Sequence, residues 1–331
     1  MGTKEFPLPR GREVLELARP LAGIKRLLND DPLISDLAAL LTDVKPIICI
    51  DFEEDHWPYL SDLCRKLRLT CRSTEDRSPE ATNPHTFFHL RAGKKYVIIG
   101  KNRTKVEKAA RYWRQLGGAA CGMELGYPEC CVKCYTGWQK NMPDSGIMRN
   151  IYLNTRHKEK LSFTLNNTCN FYSQSRNTRK ETGNFLKMDS LNASGLQFVQ
   201  IISWHPCAYD CRASLSAGSR IYDFMSYYVP DHAALLKKRL SRPVIMLDKY
   251  RFIAFNGFIA GRTLYHVGLA EPRSLIPEKT AAAIMRFSKP YPKTGVSQID
   301  LPKLLSSFDK PGPFVLNFTA DAPGPGRRKI K

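Results

Sequence analysis

The stretch Gly126-Tyr127-Pro128-Glu129-Cys130-Cys131-Val132-Lys133-Cys134 has a counterpart later in the chain, His205-Pro206-Cys207-Ala208-Tyr209-Asp210-Cys211. Both stretches place a proline ahead of a cysteine and repeat a cysteine four positions later. Because proline is favoured in the first turn of a helix, we expect each stretch to open one. Cysteines four positions apart then lie on one helix face. The two helix starts together predict a metal or cluster site held by Cys130, Cys134, Cys207 and Cys211.

The kind of centre follows from the ligands and their spacing. A helix N-terminus favours thiolate, the form of cysteine that binds metals. Zinc sites more often use a two-residue spacer, which Cys131 and Cys134 have, but no second pair of that kind occurs near Cys207. The three-residue spacer therefore favours an iron–sulfur cluster over zinc. Cys131 and His205 are alternative or neighbouring ligands.

Two other interpretations of these cysteines stay open. In the first, the cysteines are small buried apolar residues, as free cysteines are in many proteins. The presence of five cysteines in two matched motifs argues against that interpretation here. A metal-free thiol enzyme is the other alternative, with Cys131 or Cys207 as nucleophile and His205 as base. His205 lies only two residues from Cys207, so Cys131 would be its better partner. The sequence leaves open whether the protein is an enzyme.

At these residues the chain resembles an uncharacterised prokaryotic family with no assigned activity. The family is marked by a Leu-Gly-Tyr-Pro-x-Cys-Cys segment and a later His-Pro-Cys-x-x-x-Cys-x-x-Ser segment. Here they stand as Leu125–Cys131 and His205–Ser214. The resemblance implies that the two motifs act together, and it supplies no reaction.

Composition points to the partners and the compartment. The 331 residues carry a formal net charge of +20, which favours nucleic acid or another polyanion as partner. A basic nucleic-acid-binding or nucleic-acid-modifying protein with a structural zinc is therefore an alternative function. No apolar run has the length of a membrane span, and the N-terminus has no signal-peptide pattern, so we expect a cytoplasmic protein with reduced thiols.

The pattern of the remaining chain predicts an α/β fold, with mixed α+β as the alternative. We expect an α/β domain over 1–120, the cysteine-motif region over 121–240, a β-meander with short helices over 241–321, and a disordered basic tail over 322–331.

Within the first domain, helices are expected in 12–29, 34–41, 59–69 and 104–116, and strands at 46–50 and in a hairpin of 86–90 with 95–99. In the middle region, a strand over 196–204 leads into a helix over about 208–228. The later strands are expected at 243–247, 251–260 and 263–267, and short helices at 279–287 and 302–308.

An acidic cluster, Asp51, Glu53, Glu54 and Asp55, follows the first expected strand. Acids beyond the carboxyl end of a strand occupy a common ligand position, so Asp51, Glu53 and Asp55 are candidates for a Mg²⁺ site or a general base. The favoured interpretation is structural. In that interpretation the acids lie in the first turn of the next helix, where their negative charges interact favourably with the helix dipole.

Overall fold

The computed structural model describes residues 33–53, 57–74, 94–113, 118–140, 146–159, 161–168, 200–247, 252–269, 278–291, 294–308 and 312–319. This part of the chain has a mixed α+β fold with two antiparallel sheets. Its helices are α1 Leu33–Leu41, α2 Trp57–Lys66, α3 Arg103–Tyr112, α4 Gly118–Glu124, α5 Glu129–Lys140, α6 Gly146–Asn154, α7 Arg212–Tyr228, α8 Pro230–Leu240, α9 Glu278–Phe287 and α10 Leu301–Ser306. Its strands are β1 Ile47–Glu53, β2 Thr70–Ser73, β3 Lys94–Gly100, β4 Pro243–Met246, β5 Phe252–Ala260, β6 Thr263–Leu269, β7 Ser288–Pro290, β8 Ser297–Asp300 and β9 Phe314–Asn317.

The described residues form two compact units, and neither is a continuous stretch of sequence. One unit takes the described residues up to 140, together with 200–207 and 216–234. The other takes those from 146 to 168, 208–215 and those from 235 onward.

The first unit contains a three-stranded sheet in the order β1-β3-β2, in which both strand pairs are antiparallel. Helix α3 and its C-cap residue Trp113 bury Val106, Ala109 and the Trp113 ring against Ile47 and Ile98 of the sheet. These three helix positions repeat at the spacing of one helix face, as the sequence predicted for this segment. The helix begins at the N-cap residue Asn102, whose side chain accepts a hydrogen bond from the backbone N–H of Lys105 (3.0 Å).

The second unit contains a six-stranded antiparallel sheet that curls into a half-barrel, in the order β7-β8-β6-β5-β4-β9. Its core joins the inner face of the sheet to α9 and α10, through Ile253, Leu264 and Ile299 of the strands and Ile284 and Leu304 of the helices. The predicted meander is confirmed as β4, β5 and β6, and the two predicted short helices as α9 and α10.

Strand β1 is longer than the sequence indicated, which changes the position of the acidic residues. It continues through Glu53, so Asp51 lies opposite Tyr96 and Glu53 opposite Lys94 within the sheet. Both locations expected for Asp51 and Glu53 are therefore wrong, since these residues lie neither beyond the strand nor in the first turn of α2. A role for them in binding Mg²⁺ or as a general base stays a prediction. Glu54 and Asp55 lie outside the described residues.

The segment before the second cysteine motif also differs from the prediction. Residues 200–204 form no strand, and α7 begins at Arg212 rather than near Ala208. Ile201, Ile202 and Trp204 are all buried, so the apolar run reflects burial on every side rather than strand pairing.

Several predictions fall outside the described residues. These are the helices in 12–29, the first hairpin strand at 86–90, the residues 196–199 and the basic tail at 322–331. Among the described helices, none combines the length and the apolar character that crossing a membrane requires.

Candidate metal centre

The Leu-Gly-Tyr-Pro segment is a tight connection between α4 and α5. The backbone N–H of Tyr127 donates to the carbonyl of Gly122 (2.9 Å), and that of Gly126 donates to Met123 (3.0 Å). This pair of bonds is the Schellman arrangement that ends a helix, and it needs a residue with positive φ. Gly126 has φ 76°, and a Cβ there would lie 2.4 Å from Cδ of Pro46. Glycine is therefore required by backbone conformation and by space.

Helix α5 begins directly after this connection and carries two thiols in its first turn. The carbonyl of Pro128 accepts the N–H groups of Cys131 (2.8 Å) and Val132 (3.0 Å). Pro128 thus caps the helix, and Cys130 and Cys131 follow among its first residues. The positive end of the helix dipole favours thiolate at this position. The predicted helix start at the first motif is confirmed.

The second motif forms a turn that is fixed by contacts far along the chain. The N–H of Tyr209 donates to Oγ1 of Thr155 (2.9 Å), which ties the turn to the residue that follows α6. The Asp210 carboxylate accepts the N–H groups of Arg156 (2.9 Å) and His157 (3.3 Å). These bonds hold the turn against the segment after α6, and α7 begins beyond it, at Arg212, later than predicted.

Cys211 is the last residue of this turn and the cap of α7. Its N–H donates to the carbonyl of Ala208 (3.1 Å), and its own carbonyl accepts the first helical N–H, from Leu215 (2.9 Å). Cys207 and Cys211 therefore lie at the two ends of a non-helical turn, and not one turn apart on the face of a helix.

The structure brings together Cys130, Cys131, Cys207 and Cys211, whose sulfur atoms all lie within 4.8 Å of one another. The sulfurs of the adjacent residues Cys130 and Cys131 are 3.9 Å apart. The N–H of Cys207 donates to Sγ of Cys131 (3.3 Å). Cys131 and Cys211 are buried, Cys207 is partly buried and Cys130 is exposed. Four thiols at this separation are close enough to bind one metal ion.

Two residues that the sequence placed at the centre are not in this group. Cys134 lies further along α5 and is partly buried. Cys131, the residue next to Cys130, occupies the place in the cluster that the four-residue spacing predicted for Cys134. His205 is buried, and its ring stacks on Tyr135 with centroids 5.7 Å apart and planes 8° apart. Burial lowers the pKa of His205 to about 4.

Aromatic and charged side chains surround the Gly126 connection. The ring of Tyr127 packs on Trp204 with centroids 5.3 Å apart, and Nζ of Lys45 lies 5.3 Å from the same ring. Lys45 is itself buried and bonded to Asp36 at 2.7 Å. Burial raises the pKa of Tyr127, so its hydroxyl stays protonated near neutral pH. This packing connects the segment before Cys130 with the segment before Cys207.

The structure also pairs two thiols that the sequence analysis did not connect. Cys64 of α2 is buried, and its thiol hydrogen-bonds Cys71 of β2, which is partly buried. This bond lowers the pKa of Cys71 to about 7, and it raises that of Cys64. No spacing rule indicates the pair, because the contact depends on how α2 packs on the sheet. The described cysteines form no disulfide.

No protein-family model, curated protein or solved structure matches this chain. The resemblance of the cysteine motifs to an uncharacterised family stays a prediction.

Proposed function

We propose that the chain is a metal-binding protein in which Cys130, Cys131, Cys207 and Cys211 hold one tetrahedral zinc ion. The separation of the four sulfur atoms, all within 4.8 Å, is the observation that carries the proposal. Sulfurs bound at about 2.3 Å to one tetrahedral ion lie about 3.8 Å apart. The Cys130–Cys131 distance of 3.9 Å fits this value.

The same separation favours a single ion over the iron–sulfur cluster that the spacer length suggested. In a four-iron cluster each cysteine binds a different iron, so the four sulfurs spread further apart than around one ion. Four thiolate ligands, which leave no coordination position for a water molecule, are typical of structural zinc sites. The ion would join the start of α5 to the segment containing Cys207, 76 residues from Cys131 in sequence.

The surrounding structure supports thiolate ligands. Cys131 accepts an N–H bond from Cys207, and Cys130 and Cys131 lie at a helix N-terminus, so both features stabilise negative sulfur. The proposal includes a compartment that keeps thiols reduced, such as the cytoplasm.

Metal analysis and spectroscopy of anaerobically purified protein test the proposal. We expect one equivalent of zinc, a colourless protein, and intense visible absorption after replacement by Co²⁺, as four thiolates in tetrahedral geometry produce. A brown protein that contains iron and inorganic sulfide would show that the centre is an iron–sulfur cluster and not a zinc ion. Protein that folds normally and binds no metal would overturn the metal centre.

A further inference from the structure

The outer face of the half-barrel sheet carries a row of four side chains that crosses four strands. Phe258 of β5 pairs with Tyr265 of β6, Tyr265 pairs with Gln298 of β8, and Gln298 pairs with Lys289 of β7. Directly paired residues in antiparallel strands point to the same face. The row lies on the side of the sheet opposite its core, since the neighbouring residues Leu264 and Ile299 are buried.

Three aromatic rings pack against one another on this partly exposed face. The rings of Phe258 and Tyr265 stack with centroids 5.2 Å apart and planes 16° apart. Tyr291, an exposed residue just after β7, meets Tyr265 edge-on with centroids 5.5 Å apart. Phe258 and Tyr265 are half-buried.

A glycine bulge fixes the position of this pair. The register of β5 against β6 shifts between Phe255 and Gly257, and a Cβ at Gly257 would lie 1.9 Å from the carbonyl oxygen of Tyr265. Only glycine allows the strands to approach this closely, so the bulge places Phe258 opposite Tyr265.

Polar and positive groups lie beside the rings. Gln298 and the exposed Lys289 complete the row, and the exposed Arg262 lies in the β5–β6 turn. Among the residues of strands β5 to β8 the only acid is Asp300, which already accepts the N–H of Lys303 (3.2 Å) and pairs with its ammonium group (3.4 Å). The row is therefore aromatic at one end and cationic at the other.

We propose that this row, Phe258, Tyr265, Gln298 and Lys289 with Tyr291 beside it, binds single-stranded nucleic acid. Aromatic rings on an open sheet face stack with unpaired bases of any sequence, and adjacent cations contact the backbone phosphates. The net charge of +20 is complementary to a polyanion. The proposal is independent of the metal centre, because it uses none of the four clustered cysteines.

Fluorescence anisotropy of the full-length protein with short labelled oligothymidylate and oligouridylate tests the proposal. At low salt we expect binding of both, and weakening as salt is raised. Tyr265→Leu should weaken binding roughly tenfold or more, while Tyr265→Phe, which keeps the ring, should retain it. Lys289→Ala should reduce the slope of log K against log salt by about one.

Two controls separate base stacking from general attraction to polyanions. Tyr227→Leu removes an exposed tyrosine on α7, outside the sheet, and should leave binding unchanged. Heparin has no bases, so its binding should be the same in Tyr265→Leu and the unsubstituted protein. Tyr291→Leu provides a second variant if Tyr265→Leu fails to fold, and it should also weaken oligonucleotide binding.

Three results would overturn the proposal. They are no oligonucleotide binding at low salt, equal loss of heparin and oligonucleotide binding in Tyr265→Leu, and a dimer that Tyr265→Leu converts to monomer. The last result would identify the row as a contact between two copies of the chain.

Discussion

The backbone N–H of Cys207 donates a hydrogen bond to Sγ of Cys131, 3.3 Å away. An N–H group directed at sulfur stabilises the thiolate more than the thiol, because the negative charge strengthens the bond. Cys131 is also the most deeply buried of the four clustered cysteines, and it lies in the first turn of α5. The bond therefore connects the two cysteine motifs even without an ion, and it makes Cys131 the central thiol of the proposed site.

A comparison of Cys131→Ser with Cys134→Ser tests the ligand set. Cys131→Ser should lose most of the bound zinc, because a hydroxyl is a poor substitute for thiolate. Cys134→Ser should keep one equivalent, since Cys134 is on the same helix but outside the group of four. Metal content by mass spectrometry of the purified proteins measures both. Equal loss in the two variants would return Cys134 to the ligand set.

The connection before the first motif offers a matched pair of glycine substitutions. Gly126→Ala should lower the free energy of unfolding by about 1–2 kcal/mol from the positive φ alone, with a further loss from the contact with Pro46. Gly137→Ala lies within α5, where a Cβ meets no neighbour, and should raise it by about 1 kcal/mol.

Urea unfolding of both variants measures the difference. Because Gly126 sets the direction in which α5 starts, we also expect weaker zinc binding in Gly126→Ala and unchanged zinc binding in Gly137→Ala. Similar stabilities of the two variants would contradict the role of Gly126.

Local chemistry explains which parts of the site the sequence predicts. Gly126 and Pro128 act on their own backbone, one by its positive φ and the other as a helix cap, so the start of α5 follows from neighbouring residues alone. The same holds for the meander strands, whose alternation and turns are local signals. The fold prediction gave mixed α+β as the alternative to α/β. The structure has this mixed fold because β1 pairs with β3 in the antiparallel direction and not in a parallel α/β sheet.

Contacts distant in sequence explain what the pattern could not show. The turn at Cys207–Cys211 depends on the bond between Tyr209 and Thr155, 54 residues apart, and no spacing rule reports it. In the first motif, the four-residue spacing selected Cys134 as a main ligand and left Cys131, the neighbour of Cys130, as an alternative one. Helix α6 was also not predicted, although Ile147, Met148 and Ile151 have helical spacing and are buried.

The buried ion pair of Lys45 and Asp36 should contribute far more to stability than an exposed pair. Lys45→Ala leaves the Asp36 carboxylate buried without its ammonium partner, and should lower the free energy of unfolding by about 3–5 kcal/mol. Lys101→Ala removes an ion pair of similar length with Asp43, but both groups are exposed, so the loss should be under about 1 kcal/mol. Denaturant unfolding compares the two, and equal losses would show that burial of the pair has no effect.

The pair of Cys64 and Cys71 predicts a pH-dependent reactivity. Thiolate is the form that reacts with iodoacetamide, and the hydrogen bond from Cys64 lowers the pKa of Cys71 to about 7. The rate of Cys71 alkylation should therefore rise as the pH increases through about 7, and fall below it. Cys121, whose pKa burial raises to about 11, should react little in this range. Peptide mass spectrometry after short exposures measures each site.

Two substitutions at Cys64 identify the cause of this reactivity. Cys64→Ala removes the hydrogen-bond donor, so the midpoint of Cys71 alkylation should move upward, toward the ordinary thiol pKa of about 8.5. Cys64→Ser keeps a donor of similar size, so the midpoint should stay close to that of the unsubstituted protein. Because Arg72 also lowers the pKa of Cys71, a midpoint unchanged in Cys64→Ala would assign the shift to that guanidinium and not to the thiol pair.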